Sequence, residues 1–493
     1  MLRNTSCEQL DLFQNIAYHR IPKNHILLQI DSSISLFFVN DLLADKYHKT
    51  FGRPAWKPET MVRIGILQKM YGLSDEAVID EIAVNRAFEY FCHLSPVDEL
   101  PHPSTLCKFR KIRLDENIMD DIMTEIVRQM IENGIIKKEA GIIIDSTHIQ
   151  ANTTKKIPER LMEQLARNIF REKAQKEGLT GNEAAASVQE KAAELPKWEE
   201  YEDHAEAKKD MKAALEEVIA RSDPELESVK EAKEILESEL FLEQKGVRSL
   251  LDKDARVGRK DQETSFFGYK SEYTMTEEGI ITGMVVKPGN YRDGDCFEEL
   301  LDQTGKAGIK PDAVYGDKAY CRPDALNRTK EQGIPAYIPV SHSAYRINEE
   351  LFTYNKDSDT WGCIKGNESE PGRKKKRGKA YQLVYKFGKE VCRNCLHREQ
   401  CIKKDKGIAK KLIVGTSTAE LYEHSRFTKS DEFRKRYRTR ARIEPKNAEM
   451  KRYHGLDRAE GYGLESVRLQ AMFTAIAVNL KRMTVIKQLK KAG

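Results

Sequence analysis

The sequence predicts an α/β protein in which a sheet core is interrupted by two insertions. Short apolar runs typical of strands, at 141–145 and 312–317, alternate with helical stretches. Residues 1–135 place apolar side chains at helical spacing, and residues 155–250 are rich in charged helix formers. A chain of 493 residues, 40% of them hydrophobic, is long enough for about two to four domains.

Composition excludes several classes of protein. The mean hydropathy of −0.63 and the lack of any apolar run of about 18 residues argue against a membrane span. The polar start, MLRNTSCEQLDLFQN, is unlike a signal peptide, so a cytoplasmic location is expected. Nine cysteines in such a chain predict free thiols or metal ligands instead of a disulfide framework.

The pattern of elements predicts the following domains. They are an all-α N-terminal domain (1–138), a core formed by 139–154 and 251–340, an acidic helical insertion (155–250), a Cys-rich and Lys-rich irregular insertion (341–430), and C-terminal helices that complete the core (431–493). The helical insertion is expected to be a hairpin of two long helices. Within the core, 265–275 and 279–288 are expected to form an antiparallel strand pair.

The N-terminal domain has features of a helix-turn-helix DNA reader. An amphipathic stretch at 59–70 is followed by a polar turn at 72–75 and a second helix. A later helix carries four basic residues, Lys108, Arg110, Lys111 and Arg113. An ordinary small helical domain remains the alternative, because no base-reading residue can be named.

Charge is unevenly distributed along the chain. Residues 171–250 contain 13 Lys and Arg against 21 Asp and Glu, whereas residues 431–493 contain 16 against 7. A further basic run, 373–377 with Lys379, lies in a Gly-flanked stretch. Clustered Lys and Arg are typical of surfaces that bind phosphate backbones, although this run is explained equally well as a solvated loop.

Two aspartates follow strand-like runs. Asp145 ends GIIID and Asp317 ends DAVYGD. Carboxylates at the ends of neighbouring strands project into one crevice at a sheet edge. With Glu444, from a helical stretch downstream, they could hold two Mg²⁺ or Mn²⁺ ions about 4 Å apart, because hard oxygen ligands suit these ions. Taken singly, each aspartate is better explained as a turn former or cap, so the prediction depends on the set.

Four polar residues recur along the C-terminal segment. Tyr437, Arg440, Glu444 and Lys451 stand at offsets of 0, 3, 7 and 14. At about 100° per residue they fall within roughly 60° of one another on a helix, in a stripe too polar for a core. Pro445 would clash inside a regular helix, so either the helix kinks there or a new helix starts with Pro445 in its first turn.

These residues lie in motifs that resemble those of insertion-sequence DDE transposases. The motifs are DSTHIQAN from Asp145, YGDKAY around Asp317, and Y-x2-R-x3-E-x6-K from Tyr437 to Lys451, which resembles the Y-R-E-K signature of the large IS-four type superfamily. Further similar segments are FFGYK (266–270), VVKPGNYRDGD (285–295), residues 454–483 and residues 53–75. The resemblance covers most of the chain except 155–250.

The resemblance implies an RNase H-like core with a mixed five-stranded sheet. Asp145 would lie on its first strand, Asp317 on its fourth and Glu444 on a following helix, and these three would be the catalytic magnesium ligands. Arg440 and Lys451 would contact DNA phosphates near the scissile bond. Tyr437 would do the same or support Glu444.

Two residues beside the aspartates have less definite roles. His148 lies within reach of Asp145, and we favour a structural or DNA-contact role over a transient acid/base role. Lys318, next to Asp317, is either a phosphate contact or a solvated side chain.

Cysteines cluster in the second insertion. Cys392, Cys395 and Cys401 form C-x2-C-x5-C, with Cys363 upstream. A pair of cysteines two residues apart can bind one tetrahedral Zn²⁺, and a second pair would complete the shell. The alternative is four unliganded thiols.

The function expected from the residues and the resemblance is that of a bacterial DNA transposase. It would cleave and join DNA at the inverted repeats of transposon ends with two Mg²⁺ or Mn²⁺ ions, as a homodimer on double-stranded DNA, and would be associated with the nucleoid when bound. The alternatives are an RNase H-like nuclease without strand transfer and a catalytically silent DNA-binding protein.

Overall fold

The fold is that of a computed structural model, which describes residues 16, 18–48, 51–95, 98–260, 263–342, 345–378, 380–402 and 408–492. Lys379 of the basic run lies outside these ranges, as do residues 1–15. Within the described ranges, we find no helix that is both long and apolar enough to cross a membrane. From Ile26 onward, the N-terminal helices are α1 (Ile26–Asp31), α2 (Phe38–Leu42), α3 (Pro58–Tyr71), α4 (Asp75–Val84), α5 (Arg86–Phe91), α6 (Pro103–Arg113) and α7 (Glu116–Glu132).

Helix α6 is the basic helix that the sequence predicts. Two of its four basic residues are engaged inside the protein. Arg110 donates hydrogen bonds to both carboxylate oxygens of Asp75, at 2.9 and 2.6 Å. The Arg113 guanidinium lies 4.5 Å from the centre of the Tyr47 ring. These two arginines therefore hold the helices together in this structure.

The first strand, β1 (Glu139–Gln150), leads into the helical insertion. The prediction of a two-helix hairpin is wrong, because the insertion contains α8 (Pro158–Lys176), α9 (Gly181–Ala192), α10 (His204–Ala220), α11 (Glu227–Glu237) and α12 (Glu239–Leu242). Glycine and proline at positions such as Gly178, Pro196 and Pro224 separate these helices. They pack around their own hydrophobic cluster, which includes Leu165 and Phe241.

The central sheet is mixed. The chain continues through β2 (Arg256–Arg259), β3 (Ser265–Thr276), β4 (Ile281–Pro288), α13 (Phe297–Lys306), β5 (Lys310–Tyr315), α14 (Pro323–Glu331) and β6 (Ala336–Tyr337). The strand order is β2-β3-β1-β5-β6. Strand β4 also pairs with β3, on the same side as β2, because β2 pairs with the first residues of β3 and β4 pairs with the residues that follow. The pair β3/β4 is antiparallel, as predicted, and β5 and β6 run parallel to β1. The sheet has six strands in place of the five expected, because the short β2 adds one.

The second insertion is not irregular, contrary to prediction. It contains β7 (Phe352–Asn355), β8 (Thr360–Cys363), β9 (Arg373–Arg377), β10 (Ala380–Lys386), α15 (Lys389–Arg393), α16 (Arg398–Cys401), β11 (Lys411–Gly415) and α17 (Thr418–Thr428). Strands β9, β10 and β11 form a three-stranded sheet, and β7 and β8 form a hairpin. The buried side chains Trp361 and Tyr385 belong to the same hydrophobic cluster as Val314 of β5, so the insertion packs against the central sheet.

The C-terminal helices α18 (Asp431–Tyr437), α19 (Ile443–His454) and α20 (Leu464–Ala492) close the fold. The buried Asn479 of α20 exchanges two hydrogen bonds of 2.7 Å with the backbone of Ile281, and so satisfies polar groups at the start of β4. Helix α20 also packs against α3. As a result, N-terminal helices, central sheet and C-terminal helices share one hydrophobic core.

The contact between α3 and α20 requires a glycine at position 65. A Cβ added at Gly65 would lie 2.6 Å from a carbon of the buried Phe473 ring. We predict that Gly65→Ala lowers the stability by about 1–3 kcal/mol through overpacking. The matched control is Gly305→Ala in α13, where an added Cβ meets nothing within 4 Å and should stabilise the helix slightly. Thermal unfolding measures both variants, and equal melting temperatures for them would contradict the prediction.

Candidate active site

Asp145 and Asp317 are brought together by the parallel pairing of β1 and β5. The last paired residues are Ile143 and Tyr315, and the same register continued by two residues sets Asp145 beside Asp317. Contrary to the prediction, β1 does not end at Asp145. It continues to Gln150 because its later residues stay paired with β3. Asp317 therefore lies just beyond the end of β5, whereas Asp145 lies within β1, which continues in the sheet.

Arg440 connects Glu444 to this pair. Its Nη1 donates to Glu444 Oε1 at 3.2 Å, and its Nη2 donates to Asp145 Oδ1 at 3.4 Å. Burial opposes the charge on Arg440, but the carboxylates of Asp145, Asp317 and Glu444 act against this, and the pKa of Arg440 is raised. The three carboxylates that the sequence selects are thus close enough to interact electrostatically with one arginine.

Burial makes the charge on Asp145 unfavourable. The residue is 8% exposed, and this desolvation raises the pKa of its carboxyl group to about 6. Arg440 favours the ionised form, whereas repulsion from Asp317 and Glu444 disfavours it. A buried acid next to two further acids is a site that gains from added positive charge.

Sequence reasoning missed Asn447, which holds the Asp145 carboxylate, and Tyr273, which holds Asn447. Asn447 Nδ2 donates to Asp145 Oδ2 at 3.2 Å, and Asn447 Oδ1 accepts a hydrogen bond of 2.9 Å from the Tyr273 hydroxyl. Tyr273 lies on β3 directly opposite Asp145. Asn447 follows Glu444 by three residues, so its position on the same helix face was a signal that could have found it.

The predicted Tyr-Arg-Glu-Lys stripe spans three segments. Tyr437 ends α18, Arg440 lies in a 3₁₀ turn, and Glu444 and Lys451 lie on α19. Of the two alternatives for Pro445, the structure has the second, because Pro445 stands in the first turn of α19. The chain stays helical through the turn, and Arg440 contacts Glu444 across the change of segment.

An open crevice of about 740 Å³ lies beside the carboxylates and is lined by Asp145, Glu444, Asn447 and Lys451. Its other basic lining residues are His148, Arg259, Lys260, Lys270 and Arg452. This mixture of carboxylates and cations fits a ligand that carries phosphates.

His148 forms part of the wall of this crevice. Its Nε2 is 3.4 Å from Lys451 Nζ, and its ring packs at 5.1 Å from the Phe266 ring. Burial and the neighbouring Lys451 lower the pKa of His148, which favours the neutral ring as a hydrogen-bond acceptor.

Tyr437 and Lys318 differ in exposure. The Tyr437 ring is partly buried and stacks on Phe433 with centroids 5.4 Å apart. Its pKa is raised by burial, with further contributions from Asp317 and Asp145, so it lies near both. Lys318 is exposed on the 3₁₀ turn that Asp317 caps through Ala319 N–H at 2.8 Å.

Two family models match parts of the chain. The model described as Transposase domain (DUF772) matches residues 15–112, which include α1 to α5 and most of α6. The model described as Transposase DDE domain matches residues 362–484, which include Tyr437, Arg440, Glu444 and Lys451. Both matched regions are transposase domains, and the chain is a transposase enzyme.

A solved structure was also found to be similar to the transposase. It is described as the cryo-EM structure of the piggyBac transposase synaptic complex with hairpin DNA. The identity is 10%, the TM-score is 0.30, and the match covers 97% of this chain and 76% of that one.

The four clustered cysteines of the transposase line one small cavity. Cys363 at the end of β8, Cys392 on α15, Cys395 and Cys401 all contribute to its wall. Each is a free thiol. In the part of the chain that the structure describes, no group of three or more His, Cys, Asp and Glu side chains is arranged to hold a metal ion, either at this cavity or at the carboxylates.

The raised pKa of Asp145 has a consequence for stability. Because the folded state disfavours the ionised carboxylate, wild-type stability is lost as the pH rises from about 4, the ordinary value, through about 6. We predict that Asp145→Asn melts at a higher temperature than the wild type above pH 6 and at the same temperature in acid. Thermal melting in the presence of a chelator measures this, and Asp312→Asn, at an exposed position of β5, is the control. A variant less stable than the wild type at pH 8 would contradict it.

Proposed function

We propose that the transposase cleaves DNA strands at transposon ends and joins them to new DNA by metal-dependent phosphoryl transfer. Asp145, Asp317 and Glu444 are the proposed metal ligands. The observation that carries the proposal is the β1/β5 register, which sets the two aspartates side by side, together with the Arg440 bridge to Glu444.

The residues present fit a divalent cation. Carboxylate oxygens are the hard donors that Mg²⁺ and Mn²⁺ prefer. Mutual repulsion contributes to the raised pKa of Asp145, and a cation would relieve it. When bound, such ions would activate the attacking water or 3′-hydroxyl and stabilise the leaving oxygen.

The protein's own groups have distinct proposed tasks. Asp145 must lose its proton to act as a ligand, so ligation is favoured above pH 6. Asn447 holds one oxygen of this carboxylate, which fixes its direction. Arg440 and Lys451 would bind phosphates beside the scissile bond, with Lys451 steered by His148. Tyr437 stacks on Phe433 within electrostatic reach of Arg440, and the exposed Lys318 would meet DNA from its turn.

An RNase H-like core of the Y-R-E-K type is part of this proposal. In its support, β1, β3 and β4 form an antiparallel set, and β5 and β6 run parallel to β1 on its other side. Asp145 then lies on the first strand of the set, and Asp317 follows the strand beside it. We further propose a homodimer that acts on paired DNA ends in the bacterial cytoplasm.

Loss of one carboxylate should stop the chemistry but not DNA binding. We predict that Asp145→Ala, Asp317→Ala and Glu444→Ala each lower Mg²⁺-dependent cleavage of the DNA flanking the coding region by about 100-fold or more. Asp293→Ala is the matched control, because Asp293 lines the same crevice but pairs with Lys270 at 2.8 Å. Cleavage is followed on labelled duplex, and binding by mobility shift. A triad variant that still cleaves would refute the assignment.

A strand-transfer assay separates the alternatives. Joining of pre-cleaved ends to a target duplex is expected for the proposed function, whereas cleavage without joining would favour a nuclease on the same core. DNA binding without cleavage under any divalent ion would favour a catalytically silent binding protein.

We also propose a structural Zn²⁺ in the second insertion. Its support is the donor chemistry, since four soft thiols from β8, α15 and α16 and the segment between these helices line one cavity. The ion would fasten the β7/β8 hairpin to the two short helices.

The zinc proposal predicts a defined metal content. The full-length protein, purified without chelator, should hold one Zn²⁺ per chain, and Cys392→Ser with Cys395→Ser should hold none and melt at a lower temperature. Cys107→Ser on α6 is the control and should keep its zinc. Elemental analysis decides, and a wild-type protein that neither contains nor takes up zinc would overturn the proposal.

A further inference from the structure

Strand β9 consists entirely of cations. Its sequence is RKKKR, and all five residues are exposed. It forms one edge of the three-stranded sheet and pairs only with β10, in an antiparallel register that sets Lys375 opposite Gln382 and Arg373 opposite Val384. Because side chains alternate along a strand, Arg373, Lys375 and Arg377 share one face, and Lys374 and Lys376 share the other.

Two further cations, on β10 and β11, lie on the same face of the sheet as Arg373, Lys375 and Arg377. Register pairs Lys386 of β10 with Lys411 of β11, and both are exposed on this same face. It also shows the exposed Ile413. Among the described side chains of the three strands, none on this face is acidic. We call these five cations the basic face.

The opposite face of the three-stranded sheet packs against the rest of the protein. It carries the buried Tyr385 and Leu412, which belong to the hydrophobic cluster shared with the central sheet. There Lys374 lies 4.6 Å from the centre of the Tyr381 ring, so part of its surface is used within the protein. The sheet is therefore fastened by one face and presents the other to solvent.

Lysines on an edge strand also prevent sheets from pairing edge to edge. That role requires charge on β9 alone. It does not explain Lys386 and Lys411, which lie on the middle strand and the far edge but share the face of the β9 cations. One of the five cations, Arg373, pairs with the exposed Glu370 at 3.1 Å, but the described side chains of the strands add no acid to this face. Such an array of cations suits a polyanion with regularly spaced charges.

We propose that the basic face binds the phosphate backbone of double-stranded DNA, without reading its sequence, at a site separate from the carboxylate crevice. The inference rests on the proposed function, since a transposase must hold a length of duplex beyond the reacting phosphates. Each contact releases condensed counterions, so binding at this face makes affinity fall more steeply with salt.

The test compares two double variants of the full-length protein. Lys375→Gln with Arg377→Gln removes two charges from the basic face. Lys374→Gln with Lys376→Gln removes two charges from the same strand but from the opposite face. The dissociation constant for a duplex of arbitrary sequence is measured over a series of salt concentrations. The first variant should reduce the slope of log K against log salt by about 0.9 per lost contact, and the second should reduce it far less.

Three results would overturn the proposal. They are an unchanged slope in the basic-face variant, an equal change in both variants, and a change seen with single-stranded DNA only. The proposed function is tested separately. If Asp317→Ala still cleaves DNA while the salt slopes of the two double variants differ, the proposed function fails and the basic-face proposal stands.

Discussion

The parallel pairing of β1 with β5 is the constraint on which the site depends. Its last backbone pair, Ile143 with Tyr315, lies two residues before Asp145 and Asp317, and the two carboxyl groups are close enough for the charge on Asp317 to raise the pKa of Asp145. Any slip by one residue would turn the Asp145 side chain to the other face of the sheet. Pairing with β3 on its other edge prevents such a slip and buries the carboxylate at the same time.

Burial of Asp145 explains why so many polar groups converge on it. An ionised carboxylate in a desolvated position is unfavourable unless hydrogen bonds and opposite charge surround it. Arg440 and Asn447 supply these, and Tyr273 orients Asn447. Their positions depend in turn on the docking of α19, whose apolar residues Ile443 and Met450 are fully buried. The packing of one helix therefore sets the electrostatics of the crevice.

Local sequence patterns predicted the helical N-terminus, the antiparallel β3/β4 pair and the carboxylate set. The spacing of apolar residues failed to predict those features that depend on contacts with other parts of the fold. The apolar run before Asp145 stops because β1 loses β5 as a neighbour, not because the strand ends. In the second insertion, lysines on β9 hid a strand, because an exposed edge strand shows no apolar alternation. The link from Tyr273 to Asn447 joins residues far apart in sequence, so spacing gave no sign of it.

The long separations between the three carboxylates follow from the same architecture. Each insertion leaves the core at one point and returns close to it, so the register of β1 and β5 is unaffected by what lies between. The entropic cost of a longer loop grows only with the logarithm of its length, by about 0.6 kcal/mol per doubling. The helical insertion offsets that cost with a hydrophobic cluster of its own, and the second insertion does so by sharing the cluster of the central sheet. Residues more than a hundred positions apart can therefore lie next to each other, because strand pairing, not chain length, fixes where Asp145 and Asp317 stand.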